Sequence, residues 1–399
     1  MQLYSVIKQR GIKKKLIKIA VIDDGISKNR IEELEFNIEI DKDCRIIEYS
    51  DNVQDNNHGT ICAMIIMKYA PEALVGSIKI LQTYTERGYV AQFKIALDWC
   101  IQNDISLINL SLGSTQSYDS SILYECIENA YKNGIIIVAA LSNKNVVTYP
   151  ASFQNVIGVK TDPLLVDDMF YLKQNCIEGA DVVASSKHNI ENTITYACNS
   201  YAAPLITAKV NNIINQNGCR DIGQIKAALN STSFKKIEGY DPYKSRNLIT
   251  DIENKYAKQI EIPCIIIKYE NVNDKIPYLV NKMFNQNGYN TLLILTDKYI
   301  APENPSIVIT ESLNDNTLAY ISSKYDANII IIGLADTNNK TININCDIFF
   351  CQETQDDQLT DNLNDSGSKR SISYELKVSY ESGNSSIEYI YQKTTELLT

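Results

Sequence analysis

Through the first 255 residues, short apolar runs alternate with segments of helical period. Residues 16–22, 74–81, 105–110 and 135–140 are rich in Ile, Val and Leu and nearly continuous. Strands buried on both faces of a parallel sheet read this way. Between them, 59–68, 90–102 and 120–132 carry helical spacing. Strands alternating with helices predict an α/β fold, a doubly wound and mostly parallel sheet with helices on both faces. Ligands of such sheets sit outside the carboxyl ends of the strands, so chemistry is expected just past those ends.

A second pattern begins near residue 260. Strands are predicted over 262–269, 291–295, 328–333 and 346–351, with helices over 275–286 and 318–325. The stretch 355–369 is polar and rich in Asp and Asn, and reads as a mobile loop. Residues 371–380 and 386–391 alternate as an antiparallel pair would. Two domains are therefore expected: 1–256, and a second, smaller α/β domain over 257–399.

Composition narrows the class. With 44% hydrophobic and 22% charged residues the chain is globular rather than disordered. A net charge of -10 argues against nucleic acid as a partner. The longest apolar stretches, such as 134–141, are too short to span a bilayer. The N-terminal segment is basic but has no apolar run with a cleavage site, so no secretory signal is expected. Ten irregularly spaced cysteines with no CxxC pair then read as reduced thiols, and the expected location is cytoplasmic.

Three junctions stand out. Val21-Ile22-Asp23-Asp24-Gly25 ends a buried strand with a carboxylate and a glycine turn; His58-Gly59-Thr60 opens a helix; Cys198-Asn199-Ser200-Tyr201-Ala202-Ala203-Pro204 opens another. Taken singly, each has a bland reading: an Asp at a strand end caps or turns, and a Ser before a helix is an N-cap. Taken in order, Asp, His and Ser follow the sequence of the subtilisin-type triad. Ser111-Leu112-Gly113 and Ala139-Ala140-Leu141-Ser142-Asn143 follow two more strands, and Tyr149-Pro150-Ala151 and Val156-Ile157-Gly158-Val159 come next.

On these residues, over about 15–255, the chain resembles the subtilase family of serine proteases, whose motifs read V-I-D-x-G, H-G-T, S-L-G, A-A-x-G-N, Y-P-A and G-T-S-M-A-x-P. The resemblance implies Asp23, His58 and Ser200 as a catalytic triad and Asn143 as the oxyanion-hole side chain. It implies Ser111, Leu112, Gly113 and Ser142 as substrate-binding walls. Three positions depart from the pattern: C-N-S stands for G-T-S, Tyr201 for methionine, and Ser142 for glycine, which would narrow the primary specificity pocket.

The His helix runs directly into Tyr69-Ala70-Pro71, without the calcium-binding insertion of many extracellular subtilases, and no EF-hand-like acidic spacing occurs. No metal and no cofactor are therefore expected. The first strand begins too early for a folded propeptide, so an intracellular type without a prodomain is expected. Cys62, one helical turn from His58, and Cys198 read either as buried small residues or as a redox switch.

Residues 262–295 have the outline of a nucleotide-binding βαβ unit. The connection at 269–275 has no glycine, and its carboxylates would repel phosphate, which leaves substrate recognition or a homo-oligomer contact as the domain's expected role. The expected partner is a peptide or protein substrate, with no nucleic acid and no membrane. Three functions remain open: maturation of a specific peptide precursor such as a bacteriocin leader, general cytoplasmic protein turnover, and a peptide-binding pseudoprotease.

Overall fold

The computed structural model describes residues 16–49, 55–81, 89–173, 176–191, 193–234, 248–249, 262–269, 275–296, 307–309, 313–335, 342–352, 372–378 and 383–398. The first part of the chain contributes strands β1 (Lys18–Asp23), β2 (Asn37–Ile40), β3 (Ile46–Glu48), β4 (Leu74–Lys79), β5 (Ile105–Leu110), β6 (Ile136–Ala140), β7 (Ile157–Thr161), β8 (Phe170–Leu172) and β9 (Val182–Ala184). They form one sheet in the order β3-β2-β4-β1-β5-β6-β7-β9-β8. Its pairings are parallel except β2 with β3 and β8 with β9 at the two edges. The small hairpin of β10 (Asn189–Ile190) and β11 (Thr193–Ile194) lies outside it.

Period-two alternation within the apolar runs sends side chains to two cores. Along β1, Ile19 and Val21 enter one core and Ala20 and Ile22 the other. The first core is closed by α1 (His58–Tyr69), α4 (Asn199–Asn217) and α5 (Ile222–Thr232), through Cys62, Ile65, Leu205, Ile206 and Leu229. The second is closed by α2 (Tyr89–Gln102) and α3 (Ser120–Lys132), through Phe93, Leu97, Leu123 and Ile127. Each such fully buried side chain contributes about 1.5–3 kcal/mol. Both faces of the sheet are therefore occupied, and its carboxyl edge is where α1 and α4 begin.

A second sheet has the order β12-β15-β14-β17-β13-β19-β20, and all its pairings are parallel. Its strands are β12 (Leu248–Ile249), β13 (Cys264–Tyr269), β14 (Thr291–Leu295), β15 (Ile307–Ile309), β17 (Ile329–Ala335), β19 (Cys346–Gln352) and β20 (Ile372–Val378). β16 (Leu313–Asn314) and β18 (Ile342–Asn343) pair separately. One face packs on α7 (Asp315–Ser322), the other on α6 (Ile276–Gln286) and α8 (Gly383–Leu398). β12 belongs to this sheet, so the second sheet draws on chain before residue 257. β17 lies between β13 and β14, which makes the 262–295 unit a crossover rather than an adjacent pair.

One expectation fails. Residues 386–391 are not a strand: they lie in α8, and β20 pairs parallel with β19. The six-residue window S-I-E-Y-I-Y mimics alternation, whereas Ile387, Ile390 and Thr394, all buried, recur at three and four residues over the longer span. The helix predicted at 318–325 lies earlier, as α7, because the Asn314 side chain accepts the Thr317 N–H (2.9 Å) and caps it there. The stretch 355–369 lies outside the described residues.

Candidate active site

Asp23 ends β1, His58 opens α1, Ser200 is the second residue of α4, and Ser111 and Asn143 lie just past β5 and β6. The parallel sheet thus gathers five of the sequence-predicted residues at its carboxyl edge. Asp23 is buried, and its two carboxylate oxygens lie 3.0 and 2.9 Å from His58 Nδ1. A carboxylate can only accept, so Nδ1 carries the proton, and in the neutral ring Nε2 keeps its lone pair.

His58 is aimed by a residue the motif reading did not single out. Asp24 Oδ2 accepts the His58 backbone N–H (3.2 Å), and Oδ1 accepts the Gly59 N–H (2.8 Å) and Asn57 Nδ2 (2.8 Å). A carboxylate from β1's end therefore caps α1, where unpaired N–H groups and the helix dipole favour negative charge. Burial, and then the charge of Asp23, nevertheless hold the Asp24 carboxyl above its ordinary range. The approach requires glycine at 59, because a Cβ there would lie 2.3 Å from the Gly25 carbonyl oxygen.

Burial of the imidazole opposes its protonation, while Cys62 and the Asp23 carboxylate favour it, and the net direction is upward. Burial also pushes the Cys62 thiol up, so Cys62 is neutral near pH 7 and Asp23 supplies the favourable charge. A raised thiol is the opposite of what a reactive thiolate needs, and the buried-residue reading of Cys62 is the better supported. Its Sγ lies 3.8 Å from His58 Nδ1 and 4.0 Å from Nε2. Asp23, His58 and Cys62 form the one cluster among the described residues with metal-ligand chemistry. The sulfur is nearly equidistant from both ring nitrogens, off the lone-pair axis of either, and Nδ1 is already held by Asp23. That geometry is a packed thiol beside a carboxylate–imidazole pair, not a preformed metal site.

Ser200 is brought beside this pair by its backbone and its neighbours. Its carbonyl accepts from Ser111 Oγ (3.2 Å) and lies 3.7 Å from Cys62 Sγ, and the adjacent Tyr201 ring stacks on His58, with centroids 5.1 Å apart. Among the described residues, Ser200 Oγ and His58 form no direct hydrogen bond; such bonds often tighten only when substrate is bound. Asn143 is exposed, and its Oδ1 accepts the Asn199 N–H (2.9 Å), while Nδ2 has no hydrogen-bond partner among the described residues.

Asn199, seen in the sequence only as a departure from threonine, organises the loop beside the nucleophile. Its Nδ2 donates to the carbonyls of Leu141 (3.0 Å) and Ser142 (2.9 Å), and its Oδ1 accepts the Thr161 N–H (2.8 Å). Ser142 is further held by its N–H to Thr148 Oγ1 (2.8 Å). Gly113 permits the close approach of the 148–149 segment, since a Cβ would lie 2.7 Å from the Tyr149 carbonyl oxygen. Leu112 is half-buried and leans on the second core. His188 is fully buried and bonds the Tyr201 carbonyl (2.9 Å).

A carboxylate, an imidazole and a serine hydroxyl at the carboxyl edge of a parallel α/β sheet follow one another here in the chain order of the subtilisin-type triad. Residues 14–162 match the model of the subtilase family. The minor extracellular protease Epr of Bacillus subtilis is 35% identical over 162 residues, 37% of this chain and 24% of Epr. Subtilisin DY of Bacillus licheniformis is 27% identical over 169 residues, 38% of this chain and 59% of that protein. The chain thus spans between a quarter and three fifths of the length of these two relatives. Among solved structures, the epidermin leader peptide processing serine protease of Staphylococcus aureus aligns over 59% of this chain and 76% of its own, with 16% identity and a TM-score of 0.45.

Proposed function

We propose that the protein is a serine endopeptidase that cleaves peptide bonds through an acyl-enzyme on Ser200. The observation that carries this reading is the Asp23–His58 pair, which fixes the imidazole with Nδ1–H on the carboxylate and Nε2 free beside α4. Ser200 Oγ attacks the scissile carbonyl carbon as its proton passes to His58 Nε2. Asp23 stabilises the imidazolium, and the oxyanion is met by the Ser200 backbone N–H and Asn143 Nδ2. Collapse breaks the C–N bond, and His58 returns the proton to the leaving amine. Water then repeats the sequence on the acyl-enzyme and frees Ser200. Ser111, Leu112, Gly113 and Ser142 form the walls of the cleft.

More narrowly, the substrate is a specific peptide precursor, a leader peptide for instance, and not cytoplasmic protein at large. The support is a second α/β unit on a chain whose recognised motifs all lie earlier. Such a unit adds binding energy remote from the scissile bond. All ten cysteines are free thiols, which suits a reducing compartment. No helix among the described residues is long and apolar enough to cross a membrane.

The test is hydrolysis of a short chromogenic peptide together with labelling by a fluorophosphonate. Ser200→Ala should abolish both, with hydrolysis falling about 10⁶-fold, the scale known for subtilisin's own triad serine. A variant that keeps a few per cent of wild-type turnover would remove Ser200 from the chemistry. A wild-type chain that neither cleaves nor labels would favour the peptide-binding pseudoprotease.

A further inference from the structure

Immediately past Ser111, Leu112 and Gly113 the chain enters a junction with the C-terminal unit. Ser114 pairs with Tyr149 through two backbone bonds, N to O 2.8 Å and O to N 2.7 Å. Thr115 and Ser117, just beyond, are held from the other side. Asn290 Oδ1 accepts the Ser117 N–H (2.6 Å), and its Nδ2 donates to the Thr115 carbonyl (3.4 Å). Ser117 Oγ donates to Asn285 Oδ1 (2.8 Å) and accepts the Thr291 N–H (2.9 Å). Ser117, Asn290 and Thr291 are all buried. At the exposed rim, Thr115 Oγ1 donates to Asp326 Oδ2 (3.2 Å). The opposite wall is held as well, because the Val147 N–H donates to the Lys324 carbonyl (2.6 Å) in the segment that leads back to Ser142 and Asn143.

We propose that the C-terminal unit is a brace for the substrate cleft, with Asn290 as its positioning residue. A peptide in the cleft must meet the 111–113 strand and the 142–143 loop at a fixed separation. Neither segment ends in regular structure of its own sheet; each is followed by residues bonded to the C-terminal unit. Asn290 makes two bonds to the 115–117 turn, and losing them leaves the buried Ser117 N–H without a partner. The brace touches no reacting atom. It acts on how well the cleft receives the peptide, which affects ground and transition states alike and is read in KM.

The inference rests on the serine-endopeptidase reading, and the experiment separates the two. Full-length wild type, Asn290→Ala and the rim variant Thr115→Ala are compared for kcat and KM on a short peptide. The rate of fluorophosphonate labelling and amide hydrogen exchange over 113–119 are measured on the same proteins. Asn290→Ala should raise KM about tenfold, the scale of one lost buried hydrogen bond, with kcat and labelling nearly unchanged. Exchange over 113–119 should accelerate by a similar factor, and Thr115→Ala should shift both in the same direction by less. A merely structural role would lower the melting temperature and leave KM alone wherever the variant is folded. Folded Asn290→Ala with unchanged KM and unchanged exchange overturns the brace, and if that variant does not fold, Thr115→Ala with neither change does so. Absence of labelling in wild type would fell the endopeptidase reading, while exchange would still decide whether Asn290 holds the turn.

Discussion

His188 is fully buried, and both of its ring nitrogens are engaged: Nε2 lies 2.9 Å from the Tyr201 carbonyl and Nδ1 lies 3.0 Å from Tyr69 Oη. The carbonyl can only accept, so Nε2 carries the proton and Nδ1 receives the Tyr69 hydroxyl. The neutral ring is thus fully bonded, and burial drives its pKa down to about 4. The unfolded chain protonates the same histidine near pH 6.5. Between those values the unfolded state binds the extra proton, so this contribution to stability is intact above about pH 6.5 and lost as pH falls towards 4. The loss amounts to roughly 3 kcal/mol. Urea unfolding between pH 7 and 4 should show that decline, and His188→Gln, which keeps a donor and an acceptor, should flatten it. An equal decline in both proteins would place the titration elsewhere. The four residues proposed to do the chemistry were legible in the sequence because each sits where a strand or helix boundary can be read from apolar runs. Asp24, Asn199 and His188 were not: their partners lie 33 to 58, or 13 and 119, residues away, and only the fold brings them together.

At the scale of elements, α1 depends on a cap from outside itself. Asn57 stands at the capping position but makes no side-chain cap bond, and Asp24, just past the end of β1, fills that role with two backbone acceptances. Asp24→Ala should therefore cost about 1–2 kcal/mol of stability, the scale of a lost helix cap, and lower kcat by loosening the first residue of α1. Asp24→Asn keeps an acceptor oxygen and should recover much of the stability. Denaturant midpoints and kcat for both variants check this, and a fully stable Asp24→Ala would remove the cap from the account. The same dependence on distant partners explains the limits of sequence reading at this scale. Strands β5 and β6 and helix α3 were read closely because their patterns are complete within themselves. The 386–391 stretch departs from the expected strand because its six residues alternate by themselves, whereas the helical stripe shows only over the longer span.

Among the described residues the two large sheets each have cores on both faces, and apolar side chains of both units meet where they join. Tyr325, in the loop after α7, packs against the second core of the first sheet and against the α7-side core of the other. Ile177, from the first part of the chain, is itself a member of that α7-side core. Units joined only by a polar surface would be expected to unfold independently, whereas a shared apolar contact couples their unfolding. Tyr325→Ala removes the shared ring and leaves a void at the junction. It should cost about 2–4 kcal/mol, somewhat below a fully buried aromatic because Tyr325 is only half-buried. The coupling makes a sharper prediction than the magnitude. Wild type should lose both sheets in one denaturant transition, followed by circular dichroism and by hydrogen exchange of β5 and β17 separately. In Tyr325→Ala the β17 probe should depart first, since the second sheet keeps its own cores but loses its anchor on the larger unit. If both probes still coincide, or if they are already separate in wild type, the two sheets are not coupled through Tyr325, and the hydrogen bonds around Asn290 would have to hold the junction without it.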